Sequence, residues 1–224
     1  MRLCMFTPIE LRLERGWPGR IEGDRVIQLA AQTLQSYFSG GGSAREHAEH
    51  SLADVVLRAP VLHPPSVRLF DDDIRFAFAS ATSILGPDDD VRWPEGAERL
   101  EYGLRLAAVI GGEGRVEGIT VLNDWRAPGL PPAKDADFAT SLGPVLVGPG
   151  ERTTDAVAWV NGEERARLSA DPPWEAMVAQ AARSTELRPG DLICSPVLAA
   201  GAVDRGDVVE LEVEGIGVLR SRVV

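Results

Sequence analysis

Residues 104–110, Leu-Arg-Leu-Ala-Ala-Val-Ile, form a nearly continuous apolar run that stops at Gly111-Gly112. A run this short, closed by glycines, reads as a strand buried on both faces. The end of the chain has the complementary pattern. There Val209, Leu211 and Val213 alternate with Glu210, Glu212 and Glu214, which gives one buried and one wet face. Between these lie further strand signals. Residues 118–122 lead directly into Asn123-Asp124, and Asn161-Gly162 separates residues 156–160 from 163–168 as a tight hairpin turn. Two similar turns, Arg188-Pro189-Gly190-Asp191 and Asp204-Arg205-Gly206-Asp207, each launch a strand. Residues 173–184 read as a helix capped by Asp171, with Trp174, Met177, Val178 and Ala181 on its inner face. Short strands at this spacing with one helix predict an α+β, mostly β fold, a mixed sheet that rolls up instead of a βαβ array.

Residues 1–62 read as a small α+β N-terminal domain. Strand-like alternation covers residues 2–7 and 10–14, Trp17-Pro18-Gly19 is a turn, and residues 25–29 are a strand. Helix formers fill residues 30–38, and Ser39-Gly40-Gly41-Gly42-Ser43 is a flexible break. Ser43 is placed to cap a second helix through His47, Leu52 and Val55-Val56. Pro60, Pro64 and Pro65 then mark a linker into the main domain, residues 63–224.

Charge narrows the partners. The 23 basic residues against 34 acidic ones leave a net charge of −11, which repels phosphate backbones and argues against nucleic acid. No apolar run approaches the ~20 residues of a membrane span, and the first residues are too soon interrupted for a signal peptide. Cys4 and Cys194 are the only cysteines, too few for a disulfide framework. These features predict a reduced, cytoplasmic protein. Lys134 is the only lysine, which leaves almost no lysine chemistry.

Few motifs carry chemistry by themselves. His47 and His50 stand three apart on a predicted helix, but no cysteine or third histidine accompanies them, and His63 sits in the proline-rich stretch. Asp71-Asp72-Asp73 and Asp88-Asp89-Asp90 lack the calcium-loop spacing and read as solvated acidic turns. No nucleophile elbow, phosphate loop or dinucleotide fingerprint is present, and Gly111-Gly112-Glu113-Gly114 is a turn. Asn123-Asp124-Trp125 differs, because a carboxylate at the end of a buried strand points towards a cavity mouth.

Seven segments in order resemble one family. They are residues 82–87 (Thr-Ser-Ile-Leu-Gly-Pro), 100–111, 119–125, 137–144 (Asp-Phe-Ala-Thr-Ser-Leu-Gly-Pro), 160–163 (Val-Asn-Gly-Glu), 187–193 and 206–213. Together they resemble the fumarylacetoacetate hydrolase family over roughly residues 60–224. The resemblance implies the rolled mixed β-sheet of the fumarylacetoacetase C-terminal type, usually dimeric, here with its small α+β N-terminal domain. In active members a divalent cation, commonly magnesium, binds a 1,3-dicarbonyl or 2-oxo acid and polarises its carbonyl. A His–Glu pair activates water, and a lysine holds developing negative charge.

Matched residue by residue, this chain departs from that machinery. The family's Glu-x-Glu falls on Gly103 and Arg105, neither of which can ligate a cation, and an upstream ligand Asp falls on Leu69. Only the following Asp is kept, as Asp124. Residues 126–131 lose the substrate-binding Arg and Gln positions. The Lys position falls on Ala136, with Lys134 two residues earlier, and the Thr/Ser-Gly-Thr turn appears as Cys194-Ser195. Residues 70–76 leave no room for the His–Glu lid. The expected arrangement is therefore Arg105 entering the vacated site and pairing with Asp124, with no metal and no cofactor. An unpaired buried Asp124 would cost about 3–5 kcal/mol.

Three readings follow. The first is a repurposed, metal-independent enzyme acting on a small anionic β-dicarbonyl or 2-oxo acid by isomerisation, decarboxylation or cyclisation. In it Arg105 and Asp124 are catalytic, and Arg126, Lys134, Ser195 and Cys194 bind substrate. The second is a catalytically silent binding or partner subunit, and the third a metal-dependent hydrolase with displaced ligands.

Overall fold

The computed structural model describes residues 1–11, 13–151 and 155–224. The N-terminal part contributes β1 (Arg2–Pro8), β2 (Trp17–Glu22), β3 (Arg25–Leu29), α1 (Leu34–Ser39), β4 (Glu46–Ser51) and β5 (Val55–Arg58). Next come β6 (Val67–Phe70), β7 (Phe76–Ala79), β8 (Ile84–Leu85), β9 (Leu100–Ile110), β10 (Val116–Asp124) and β11 (Thr140–Val147). The last part holds β12 (Asp155–Val160), β13 (Glu163–Ser169), α2 (Trp174–Ala181), β14 (Leu192–Cys194), β15 (Ala199–Val203), β16 (Val208–Val213) and β17 (Gly217–Arg222).

Among the described residues these strands form two sheets. The larger runs β4-β3-β2-β1-β11-β10-β9-β14-β6-β7, with β5 on β1, β8 on β11 and β15 on β9; the smaller runs β13-β12-β16-β17. Most pairs are antiparallel, but β14–β6 and β11–β8 are parallel, so the sheet is mixed and the protein mostly β. Residues 1–62 join the rest through β1, whose Arg2 and Leu3 pair with Val147 and Leu146 of β11.

The apolar run on β9 is explained by layers on both faces. Leu104 and Leu106 point into the core between the two sheets with Phe6, Trp125, Val121, Leu211 and Leu219. Ala107 and Val109 point the other way, into a core with Leu34, Phe38, Leu69 and Leu142. A third cluster forms under α2, where Met177 and Ala181 meet Phe70, Ile110 and Ile193. Alternation along a strand puts Gly103 and Arg105 on the face of Ala107 and Val109. Leu122 of β10 sits opposite Arg105, so Asp124, two residues on, shares that face. Register alone thus brings a guanidinium and a carboxylate together inside the sheet.

Several local expectations change. Residues 43–56 form two strands with a short 3-10 turn, not a helix. Pairing with β3 overrides helix propensity there, reinforced by Arg25–Glu49 and Arg20–Glu46 ion pairs. On a strand, residues three apart face opposite ways, so His47 and His50 cannot share a ligand. Trp17-Pro18-Gly19 lies within β2, opposite residues 4–6 of β1, and is not a turn. Of the predicted strand at 10–14, Arg12 lies outside the described residues, and Glu10, Leu11, Leu13 and Glu14 belong to no strand. The first helix spans only Leu34–Ser39, begun by a Thr33–Ser36 capping box. Helix α2 has Pro173 at its N-cap position, not Asp171, and ends at Ala181. The proline stretch is packed, with Val61 fully buried. The Asn161-Gly162 hairpin forms as read, both residues having positive φ (53° and 76°).

Candidate functional site

Arg105 is 3% exposed, and four of its N–H donors are committed. Nη1 donates to the backbone carbonyls of Phe70 on β6 and Ser195 after β14, at 2.7 Å each. Nε and Nη2 donate to Asp124 Oδ2 at 3.0 and 2.9 Å. One guanidinium therefore gathers oxygens from three neighbouring segments of the sheet.

Asp124, also 3% exposed, is held from a second side. Arg126 donates from Nε to Oδ1 at 3.0 Å and from Nη2 to Oδ2 at 3.1 Å, the bidentate geometry that suits a planar guanidinium. Both carboxylate oxygens are thus occupied by charge-assisted hydrogen bonds. Two guanidiniums around one carboxylate leave the cluster with one net positive charge. Arg126 carries that charge outward, since its side chain is 36% exposed and its Nη1 donates to nothing among the described residues.

These residues do not fit a divalent cation. Hard cations take several oxygen ligands, whereas Asp124 here has its lone pairs spent on arginines. At Gly103 a Cβ would lie 2.9 Å from the Asp124 carbonyl oxygen, so a longer side chain requires the strands to shift. Leu69 is buried in the apolar core. No group of three His, Cys, Asp or Glu that could hold a metal occurs among the described residues.

Arg126 opens into a cavity of about 350 Å³ lined by residues 77–80 of β7 and its end, together with Ala133, Asp135, Ala136 and Asp137. The chain folds this loop back onto Arg126 through the Ala127 N–H, which donates to the Asp135 carbonyl at 2.8 Å. Phe78, 68% exposed on an edge strand, forms an aromatic wall.

Of the residues singled out by sequence, the fold brings together Arg105, Asp124, Arg126 and Ser195. Ser195 is fully buried behind Arg105; its hydroxyl donates to the Pro196 carbonyl and accepts from the Leu106 N–H. Cys194 is buried beside it, and burial pushes its thiol up to about 12, against the pull of Arg105. Neither lines the cavity. Lys134 is not among the lining residues and pairs with Asp137 at 2.8 Å. Sequence reasoning did not single out Asp135, Asp137 or Phe78 as site residues. The one available signal was that these two carboxylates directly follow the sole lysine in the chain. The acidic runs behave as turns, Asp72 accepting from the N–H groups of Ile74 and Arg75.

Comparisons with known proteins agree with this architecture. The structure superposes on maleylpyruvate hydrolase from Sphingobium sp. SYK-6 with a TM-score of 0.83 at 23% identity, covering 100% of this chain and 99% of that one. The same enzyme in complex with manganese(II) and pyruvate gives 0.83 at 22%, with the same coverage. The 5-carboxymethyl-2-hydroxymuconate delta-isomerase of Mycobacterium smegmatis gives 0.78 at 25%, again covering 100% and 99%. By sequence, the mitochondrial oxaloacetate tautomerase fahd2 of Xenopus laevis is 28% identical, with 64% of this chain and 56% of that protein covered. The chain thus spans little more than half the length of that relative. Residues 42–224 match the family described as fumarylacetoacetate (FAA) hydrolase, C-terminal. Among the described residues no helix is long and apolar enough to cross a membrane. The chain belongs to the fumarylacetoacetate hydrolase family.

Proposed function

We propose that this chain is a metal-independent member of its family that binds a small anionic carbonyl compound, a 2-oxo acid or β-dicarbonyl, in the cavity that Arg126 enters. The observation that carries this reading is the saturated Arg105–Asp124–Arg126 cluster. A buried guanidinium now stands beside Asp124 and opposes a second cation, while the half-exposed one offers its remaining donors to a carboxylate or enolate oxygen. Arg105 acts as the positioning residue, because its contacts to two backbone carbonyls and Asp124 fix the carboxylate that orients Arg126. Pyruvate, bound in the Sphingobium relative, is a ligand of the proposed class.

A catalytic reading rests on a different observation. Both Asp124 oxygens are held by guanidiniums, whereas the Asp135 carboxylate, which lines the cavity with Arg126, has no hydrogen-bond partner among the described residues. With Arg126 stabilising an enolate and Asp135 accepting the α-proton and returning it to the enolate oxygen, a keto–enol isomerisation needs neither metal nor activated water. Two relatives carry out proton shifts by name, a tautomerase and a delta-isomerase.

Thermal-shift titration with pyruvate and acetoacetate, with a chelator present throughout, tests the binding. The expected result is a concentration-dependent rise in melting temperature that Arg126→Ala abolishes. Absence of any shift, or an unchanged shift in Arg126→Ala, overturns the proposal. Enolisation is read separately by deuterium exchange at the α-carbon, which Asp135→Asn stops if that carboxylate is the base.

A further inference from the structure

We infer that this cavity takes an extended acid of peptide type, an acylated amino acid or short peptide, with its carboxylate on Arg126 and the preceding residue paired with Phe78 at the open edge of β7. The inference shares the Arg126 anchor with the proposed function and rests on it for that contact alone.

The hydrogen-bond pattern of the edge carries it. Strand β7 ends the larger sheet and pairs only with β6 among the described residues. The Asp71 N–H donates to the Arg75 carbonyl at 2.9 Å, which makes these two residues a hydrogen-bonded pair. Such pairs alternate along an antiparallel ladder. In the register of β6 and β7, Leu69 with Ala77 and Val67 with Ala79 are therefore the bonded pairs, and Arg68 with Phe78 is not. The N–H and C=O of Phe78 then both point away from β6, out of the sheet. Beyond it Ser80 is engaged, since Ser83 Oγ donates to its carbonyl at 3.2 Å.

The cavity runs along this edge. A strand face shows every second residue, whereas residues 77, 78, 79 and 80 all line the cavity with Arg126. The Phe78 ring anchors the position: its centroid lies 5.4 Å from Arg68 Cζ and 5.6 Å from the Phe76 ring, which it meets edge-on. A donor and an acceptor facing the same way match the N–H and C=O of one extended amino-acid residue, as in strand addition. A plain 2-oxo acid has only acceptors and leaves the Phe78 carbonyl to water. The remaining donors of Arg126, in the same cavity, favour a chain that ends in a carboxylate.

The test compares calorimetric dissociation constants for N-acetylalanyl-alanine and O-acetyllactoyl-alanine, which differ by one N–H replaced with oxygen. The wild-type chain is expected to bind the first about fivefold more tightly, the effect of one net hydrogen bond. Converting the peptide carboxylate to an amide, or Arg126→Ala, is expected to weaken binding about tenfold. Phe78→Pro removes the outward N–H without breaking a ladder bond, and is expected to weaken the peptide about fivefold. Phe78→Ala keeps the backbone and should weaken it less; an equal loss in the two variants overturns the backbone assignment. Equal binding of the two ligands by the wild-type chain overturns the inference without any variant. So does a dimer in sedimentation that Phe78→Pro splits, because a second copy then covers the edge. Pyruvate binding at Arg126 without peptide binding overturns this inference and leaves the proposed function standing; failure of both ligands overturns both.

Discussion

Replacing Arg105 by Met removes the charge and keeps much of the side-chain volume. The change deletes two hydrogen bonds to Asp124 and one each to the carbonyls of Phe70 and Ser195, all buried. Breaking one partner of a buried ion pair costs about 3–5 kcal/mol, and a buried carbonyl left without its donor adds about 1–3. Arg126 stays on Asp124, and being part-exposed it recovers only a portion of the loss. The net expectation is about 3–5 kcal/mol, which in a chain of 224 residues lowers the melting temperature by about 6–20 °C. Urea denaturation followed by circular dichroism reads this as a fall in midpoint at unchanged slope. The double variant Arg105→Met/Asp124→Leu must recover most of the loss, because swapping a whole buried pair for apolar volume is often nearly neutral. A single variant costing less than about 1 kcal/mol would show that Arg105 does not tie β6, β10 and β14 together. A double variant no better than the single one would refute the pairing argument.

Magnesium or manganese added to the wild-type chain is expected to leave the melting temperature unchanged after chelator treatment; a saturable rise would reveal a cation site. Burial raises both Cys4 and Cys194 to about 12, so neither thiol of the native chain should react with Ellman's reagent at pH 8. Folded thiols that keep their protons while unfolded ones lose them near 9 stabilise the fold fully below pH 9. That stability drains away as the pH climbs to about 12, and a urea midpoint that stays level from pH 8 to 12 contradicts this. Gly103→Ala places a methyl 2.9 Å from the Asp124 carbonyl and should cost about 1–3 kcal/mol by overpacking. Gly162→Ala, where a Cβ meets open space, should cost only the positive-φ penalty of about 1 kcal/mol; equal losses at the two glycines would deny the close approach.

The sequence by itself determined the strands whose burial is written in local pattern. These include the two-faced β9, the alternating β16 and the Asn161-Gly162 turn, where short-range sterics and a period of two leave little choice. With the family's register in hand, it also determined that Arg105 would meet Asp124. What it could not determine was anything requiring a partner far along the chain. Residues 46–51 have no strand character of their own and become β4 because β3 lies beside them. Trp17-Pro18-Gly19, turn-like in isolation, is drawn into β2 by β1. The same holds at the site. Nothing near Arg126 in sequence says that it grips Asp124 bidentately, or that it lines one cavity together with residues 77–80 of β7 and its end. Local pattern records which face of an element is dry. Only the folded chain sets which charges stand opposite one another, because Coulomb energy depends on distance in space and not along the backbone.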